Sequence, residues 1–353
     1  MQFKNLLYLF LSLVILVSCE SDDDNIIPPQ NGGTYSDGVF IINEGNFGQG
    51  NSTISFLNAE GEVTHNIFST VNGADLGDTA TDIGLFEELV FIVVNVSNKI
   101  EIVDRSTFET VATIDTGLNN PRKIAFLDGK TYVTNWGDGS DPNDDFIAVF
   151  DSSSFELITT IAVAEGPEDI LATEEKVFVA HLGGWSFNDK ISVISEDEVE
   201  KTIEVGAGPN AMAAGNGFLW VSSSGLPDYL GETAGSISKI SLSTLEVVQE
   251  YIFEEAEQHP GNLSLNNDNV YFTQGTDVYS FGTSETTLPA SAAFSLEAVA
   301  YLYGFDLIDG NIYAASADPN FTGNGTLYVY DAATGNLSAS YETGVNPNGV
   351  FSN

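Results

Sequence analysis

The chain is poor in the residues from which many reactive centres are built. Its 353 residues include one cysteine, Cys19, which excludes an intrachain disulfide and any cysteine-rich zinc or iron–sulfur site. Three histidines, His65, His181 and His259, leave little material for a histidine-based metal centre. Cations are scarce as well: 10 Lys and Arg stand against 51 Asp and Glu, a formal net charge of -41. Nucleic acid and anionic lipid both require clustered cations. The expected partner is therefore neutral, cationic or a protein. Apolar residues, at 42%, are plentiful enough for a large core, so the acidity does not signal bulk disorder.

Long apolar runs are also missing, with one exception at the N-terminus. Residues 6–17 read LLYLFLSLVILV behind Lys4. The run is too short to span a bilayer, and its basic start fits a secretory signal peptide over residues 1–18. It ends in LVSC, which resembles a bacterial lipobox and implies acylation of Cys19. The following ESDDDN resembles the surface-export signal of Bacteroidota lipoproteins; a plain solvated tether is the other reading, and both can hold. Pro28, Pro29, Gly32 and Gly33 then mark a linker. Residues 19–37 are thus read as a lipidated acidic tether on an outer membrane, and residues 38–353 as the fold.

That fold is a repeat. NPRKI, GPEDI, GPNAM and HPGNL open four similar units, with Pro121, Pro167, Pro209 and Pro260 in register. Each is followed by a tight turn and an apolar strand (TYVTN, VFVAH, FLWVS, VYFTQ), an alternating third strand and a more polar fourth. Weaker copies extend the series in both directions. Third strands from Ile54 to Leu327 cover six intervals, about 45 residues each, the length of a four-stranded propeller blade. The expectation is all-β: a seven-bladed β-propeller of four-stranded antiparallel blades without helices. The first unit lacks an innermost strand and the chain ends in VNPNGVFSN, so the C-terminal strand should complete blade one and remove the free edges.

TYVTN at residues 131–135 resembles the YVTN-type propeller repeat. The opening GVFIINEGNFGQGNSTISFLN resembles the N-terminal blade of Bacteroidota surface lipoprotein propellers. That family includes corrinoid (vitamin B12) binders seated over a TonB-dependent outer-membrane transporter. The resemblance implies a surface lipoprotein that captures a small ligand, a corrinoid first among candidates, and passes it to such a transporter.

The loops between second and third strands share one face with the connections between blades. They are long in five units, whereas the hairpins on the other face are short. Loops on a rigid scaffold are where binding usually resides. These carry Phe47, Trp136, Trp185, Phe187, Tyr229 and Phe321, and rings gathered on one face point to a contact surface. Asn43, Asn95, Asn135, Asn188 and Gln274 interleave with them and suit a neutral, amide-rich ligand. With Glu44, from the Asn43-Glu44-Gly45 stretch, and His181, they make up the expected site. Trp220 lies in a strand and is read as core, and His65 and His259 as structural. Asp138, Asp141, Asp144 and Asp145 crowd one Gly-containing loop, either as a solvated loop or as a calcium site. No nucleophile–base arrangement can be assembled by spacing, so the chain is read as a non-enzyme. The alternatives are a metal-dependent hydrolase or lyase using Glu44, Asp138 and His181, and a protein-interaction module.

Overall fold

Alternation and turn chemistry act together in each repeat. In the second strand Leu89–Val94 (LVFIVV) all but the first residue are buried, because a central blade strand is covered on both faces by its neighbours. The fourth strands, such as Thr110–Ile114, are mostly exposed and polar. First and second strands are joined by two-residue turns with left-handed backbone at Asp128-Gly129, Asn216-Gly217 and Asp309-Gly310. Asn-Gly and Asp-Gly suit this geometry, whose twist matches that of the flanking strands. Third-to-fourth turns repeat another device. Asp104, Asp151 and Asp331 each accept bonds from backbone N–H groups two or three residues on, an Asx turn that closes the hairpin locally. At Gly335 the same turn needs a glycine, since φ is +70° and a Cβ would lie 2.4 Å from the Phe294 ring.

A computed structural model describes residues 33–184 and 186–353; the leader, Cys19, most of the tether and Trp185 lie outside the described residues. Seven four-stranded sheets follow one another around a ring, each in simple meander order except the first. In that blade the C-terminal strand Pro347–Ser352 takes the innermost place and pairs antiparallel with Gly38–Asn43, from Val39 opposite Ser352 to Asn43 opposite Pro347. Two more bonds, from the Glu44 and Gly45 N–H groups to the Asn346 and Val345 carbonyls, extend the closure. Apolar clusters fill the spaces between adjacent blades. One such cluster gathers Phe91, Ile102, Ile124, Val133 and Phe150 from blades two and three.

Two blades depart from the repeat. In blade one the outer strand is only Val63–Thr64, and the chain then turns into the helix Ile67–Asn72, which buries Ile67 and Phe68. The expectation of a helix-free chain is corrected there: VTHNIF has strand-like composition, but its apolar residues are drawn down onto the core beside Tyr35 and Phe108. In blade six the outer strand is only Phe294–Ser295.

Candidate functional site at the channel mouth

In all seven blades the innermost strand slips by one residue against its neighbour at the end nearest the loop face. A β-bulge re-aims a side chain, and here the displaced residues include Thr81, Arg122, Glu168, Asn210, Tyr303 and Asn348. They link blade to blade around the axis. Thr81 Oγ1 donates to the Arg122 carbonyl (2.7 Å), Asn348 Nδ2 to the Ala80 carbonyl (3.2 Å) and Asn210 Nδ2 to the Pro260 carbonyl (3.0 Å).

The strongest contacts are charged. Arg122 donates to both Glu168 oxygens, at 2.9 and 2.8 Å, the fork geometry that holds a carboxylate best. Its guanidinium also lies 4.7 Å from the Trp136 ring centre. Burial disfavours the charge on each partner, but their mutual attraction prevails: Arg122 is held above its ordinary pKa and Glu168 below. Beside them, Tyr303 Oη donates to Glu44 at 2.6 Å. Burial raises the Glu44 pKa, opposed by the Tyr303 bond and the Arg122 charge. Tyr301, Phe321 and Tyr303 form an edge-to-face cluster above this pair, with centroids 4.7 and 5.6 Å apart.

One storey deeper, Asp82 accepts the Ile124 N–H, Asp169 the Met212 N–H and Asp306 the Val350 N–H, each at 2.8 to 2.9 Å and each from the next blade's inner strand. Lys123 is the cation in their midst, 3.4 Å from Asp82. Burial raises all three carboxyl pKa values, those of Asp169 and Asp306 to about 6.

The residues expected to bind ligand fall into three groups. Asn43, Asn135 and His181 end second strands, Asn95 directly follows one, and all four are buried. Asn43 joins Ser55 to the Gly344 N–H, Asn95 donates to the Pro121 carbonyl, and Asn135 accepts the Asn119 N–H. His181 Nε2 lies 2.8 Å from Ser192 Oγ, and burial lowers its pKa to about 4. These four are staples rather than exposed donors. Trp136, Phe187 and Phe321 are half-buried, folded back onto Arg122, Gly208 and the two tyrosines. Phe47 and Tyr229 remain free, 80% and 76% exposed. Trp220 is wholly buried.

Three of the four loop aspartates serve separate local bonds. Asp138 holds Ser140, Asp141 holds Asn143, and Asp144 accepts the Asp138 N–H. Asp145 is buried, and its pKa is pushed up to about 7. Among the described residues no group of three or more His, Cys, Asp or Glu side chains could hold a metal ion.

Arg122, Glu168, Tyr301 and Tyr303 escaped the sequence reading. A signal existed for the first two: a charged side chain immediately after a blade-opening proline, in a strand that the fold makes innermost. Beside the mouth, Asn95, Asn98, Asn119, Asn120 and Phe47 line a crevice of about 300 Å³. Its amides come from blades two and three, and its ring from blade one.

Residues 37–347 match the family described as Domain of unknown function (DUF5074). No curated protein sequence matches the chain. Among solved structures, a Bacteroides uniformis protein provisionally described as a 6-phosphogluconolactonase is similar at 15% identity and TM-score 0.63, over 89% of this chain and 98% of that one. BamB from Moraxella catarrhalis follows at 14% and 0.55, over 90% and 86%. The computationally designed Ika8 protein aligns at 11% and 0.56, over 90% and 92%. At such identities the likeness is one of fold.

Proposed function

The chain belongs to the DUF5074 family, and from that premise we propose that it is a binding propeller, lipid-anchored at Cys19 on the outer surface of an outer membrane. It captures a small amide-rich ligand on its loop face, with a corrinoid as the first to test, and passes it to a TonB-dependent transporter. The observation that carries this reading is the asparagine-lined crevice under Phe47. Asn95 is committed to the Pro121 carbonyl and to Asn120. The side-chain amide of Asn119 has no partner among the described residues, and Asn98 uses only its oxygen, on the Asn120 N–H. Amides of this kind offer a donor and an acceptor each to a ligand bearing the same groups. Phe47 adds a flat apolar face, where ring contacts are worth roughly 0.5–1.5 kcal/mol beyond area burial.

The residues that lead into the first blade fit the same orientation. Gly33 to Asp37 run along the hairpin face, where the Tyr35 N–H bonds the Ser106 carbonyl. Residues 33–37 thus lie on the face opposite the long loops. Gly137, next to Trp136, borders the crevice, so tryptophan emission reports its occupancy. Titrating the protein lacking residues 1–19 with cyanocobalamin should quench that emission at micromolar ligand. Unchanged emission together with no binding heat would overturn the corrinoid reading.

A further inference from the structure

Blades one and six both have outer strands of only two residues, and in blade one the helix Ile67–Asn72 follows directly. Blade five ends in Glu246–Ile252 and blade seven in Leu337–Val345, but blade six contributes only Phe294–Ser295, opposite Val278 and Asp277. The chain that would have formed the rest of its outer strand swings towards blade five. There Lys239 Nζ donates to the Thr283 carbonyl and Tyr251 Oη to the Glu285 carbonyl, at 2.8 and 2.7 Å.

The detour has two consequences. First, the third strand Asp277–Gly282 keeps an open edge. Val278 accepts the Ala293 N–H on that side, so by the alternation of an antiparallel ladder Ser280 presents its N–H and carbonyl outward too. No backbone partner for Ser280 occurs on that side among the described residues. Second, a cavity of about 520 Å³ opens between the blades. Ile252, Tyr279 and Leu288 supply apolar walls, and Ile252 is 64% exposed. Glu250, Glu254 and Glu255 border it, and among the described residues no Lys or Arg does. Gln274 also lines it, with an Nε2 that is shielded from solvent and has no hydrogen-bond partner among the described residues. A buried donor left unpaired costs free energy that an incoming acceptor recovers.

We infer that this cavity is a docking site for an extended, basic peptide segment, which pairs with the free edge of blade six. A lysine or arginine stem lies against Tyr279 and Leu288, its charged head meets the glutamates, and a backbone carbonyl accepts from Gln274. The open edge and the unpaired amide favour a peptide over a free amine, because only the peptide supplies strand-pairing groups. The surrounding negative field also draws a basic segment in. The site is on the ring's outer side and is independent of the Phe47 crevice.

Calorimetry on the protein lacking residues 1–19 tests this with a capped Leu-Lys-Leu-Lys peptide. Binding is expected, with at least a tenfold loss in the Glu254→Gln, Glu255→Gln double variant. Gln274→Leu should weaken the peptide while leaving the apo melting temperature unchanged or higher. No heat at millimolar peptide, equal binding of Leu-Glu-Leu-Glu, n-hexylammonium binding as tightly as the peptide, or a lower melting temperature in Gln274→Leu would each overturn the assignment. Cyanocobalamin quenching should be the same with and without peptide, so failure at one site is separable from failure at the other.

Discussion

In the lower storey of the central channel, Asp82, Asp169 and Asp306 commit their carboxylates to backbone N–H groups of the adjoining blade. In the upper storey, Arg122, Glu168, Glu44 and Tyr303 bond one another through side chains alone. The residue types are similar but the tasks differ. A carboxylate that satisfies a neighbour's backbone fixes the relative position of two sheets, and it cannot be released without orphaning a buried donor. A side-chain pair at a mouth can exchange one partner for a ligand and leave both strands in place. The lower ring thus ties neighbouring blades together through backbone bonds, whereas the upper ring is joined through side chains.

The most disruptive way to test that division is Asp82→Ala. It strips Lys123 of its nearest carboxylate and leaves the Ile124 N–H without an acceptor. Leaving a buried donor without its acceptor costs about 1–3 kcal/mol, and equilibrium urea unfolding should show a loss of that order. A change below about 1 kcal/mol would mean that the lower storey does not hold the blades.

A second test separates the storeys by pH. Asp169 and Asp306 bind protons more tightly folded than unfolded, with folded pKa values of about 6. Their stabilising contribution is full below the unfolded carboxyl value, about 4, and is lost as pH rises through about 6, because the native state then binds more protons than the unfolded chain. Glu168 behaves oppositely: its folded pKa is depressed, so its contribution is present at neutral pH and is lost as the solution is acidified through that lowered value. Asp306→Asn keeps an acceptor for the Val350 N–H but removes the titration. The fall in stability between pH 4 and 6 should therefore be shallower than in the parent, measured by thermal melts across that range. An identical slope would remove Asp306 from the account.

The smallest effect on stability is expected at the rim. Phe47 is 80% exposed, so Phe47→Ala should change unfolding free energy by no more than about 0.5 kcal/mol. Its affinity for a crevice ligand should fall several-fold in the cyanocobalamin titration. A large stability loss with unchanged affinity would make Phe47 a plug for its loop.

Much of this was legible in advance. Prolines at Pro121, Pro167, Pro209 and Pro260 mark where inner strands begin, and the tail around Pro347 has the same form and fills the vacancy in blade one. The rings were harder to assign. Trp136 and Phe47 occupy equivalent loops and look alike as sequence, yet one stacks on Arg122 and the other stands in solvent. Asn43, Asn95 and Asn135 also looked like donors for a ligand. Their recurrence at or directly after the ends of second strands instead reflects a repeated structural bond, because an amide there can reach the start of an inner strand or the connection leading into it.

Strand period, turn residues and repeat length are local properties, written in neighbouring residues and set by backbone sterics and burial, so the chain alone determined the number of blades, their order and the closing of the ring. Which charged groups meet across the axis was decided only in three dimensions. Arg122 and Glu168 are separated by a whole blade of chain, as are Asp82 and Lys123, and their pairing depends on the radius of the closed ring and on the bulge that turns each side chain inward. The same holds for the cavity beside blade six, a space that exists only between two finished sheets.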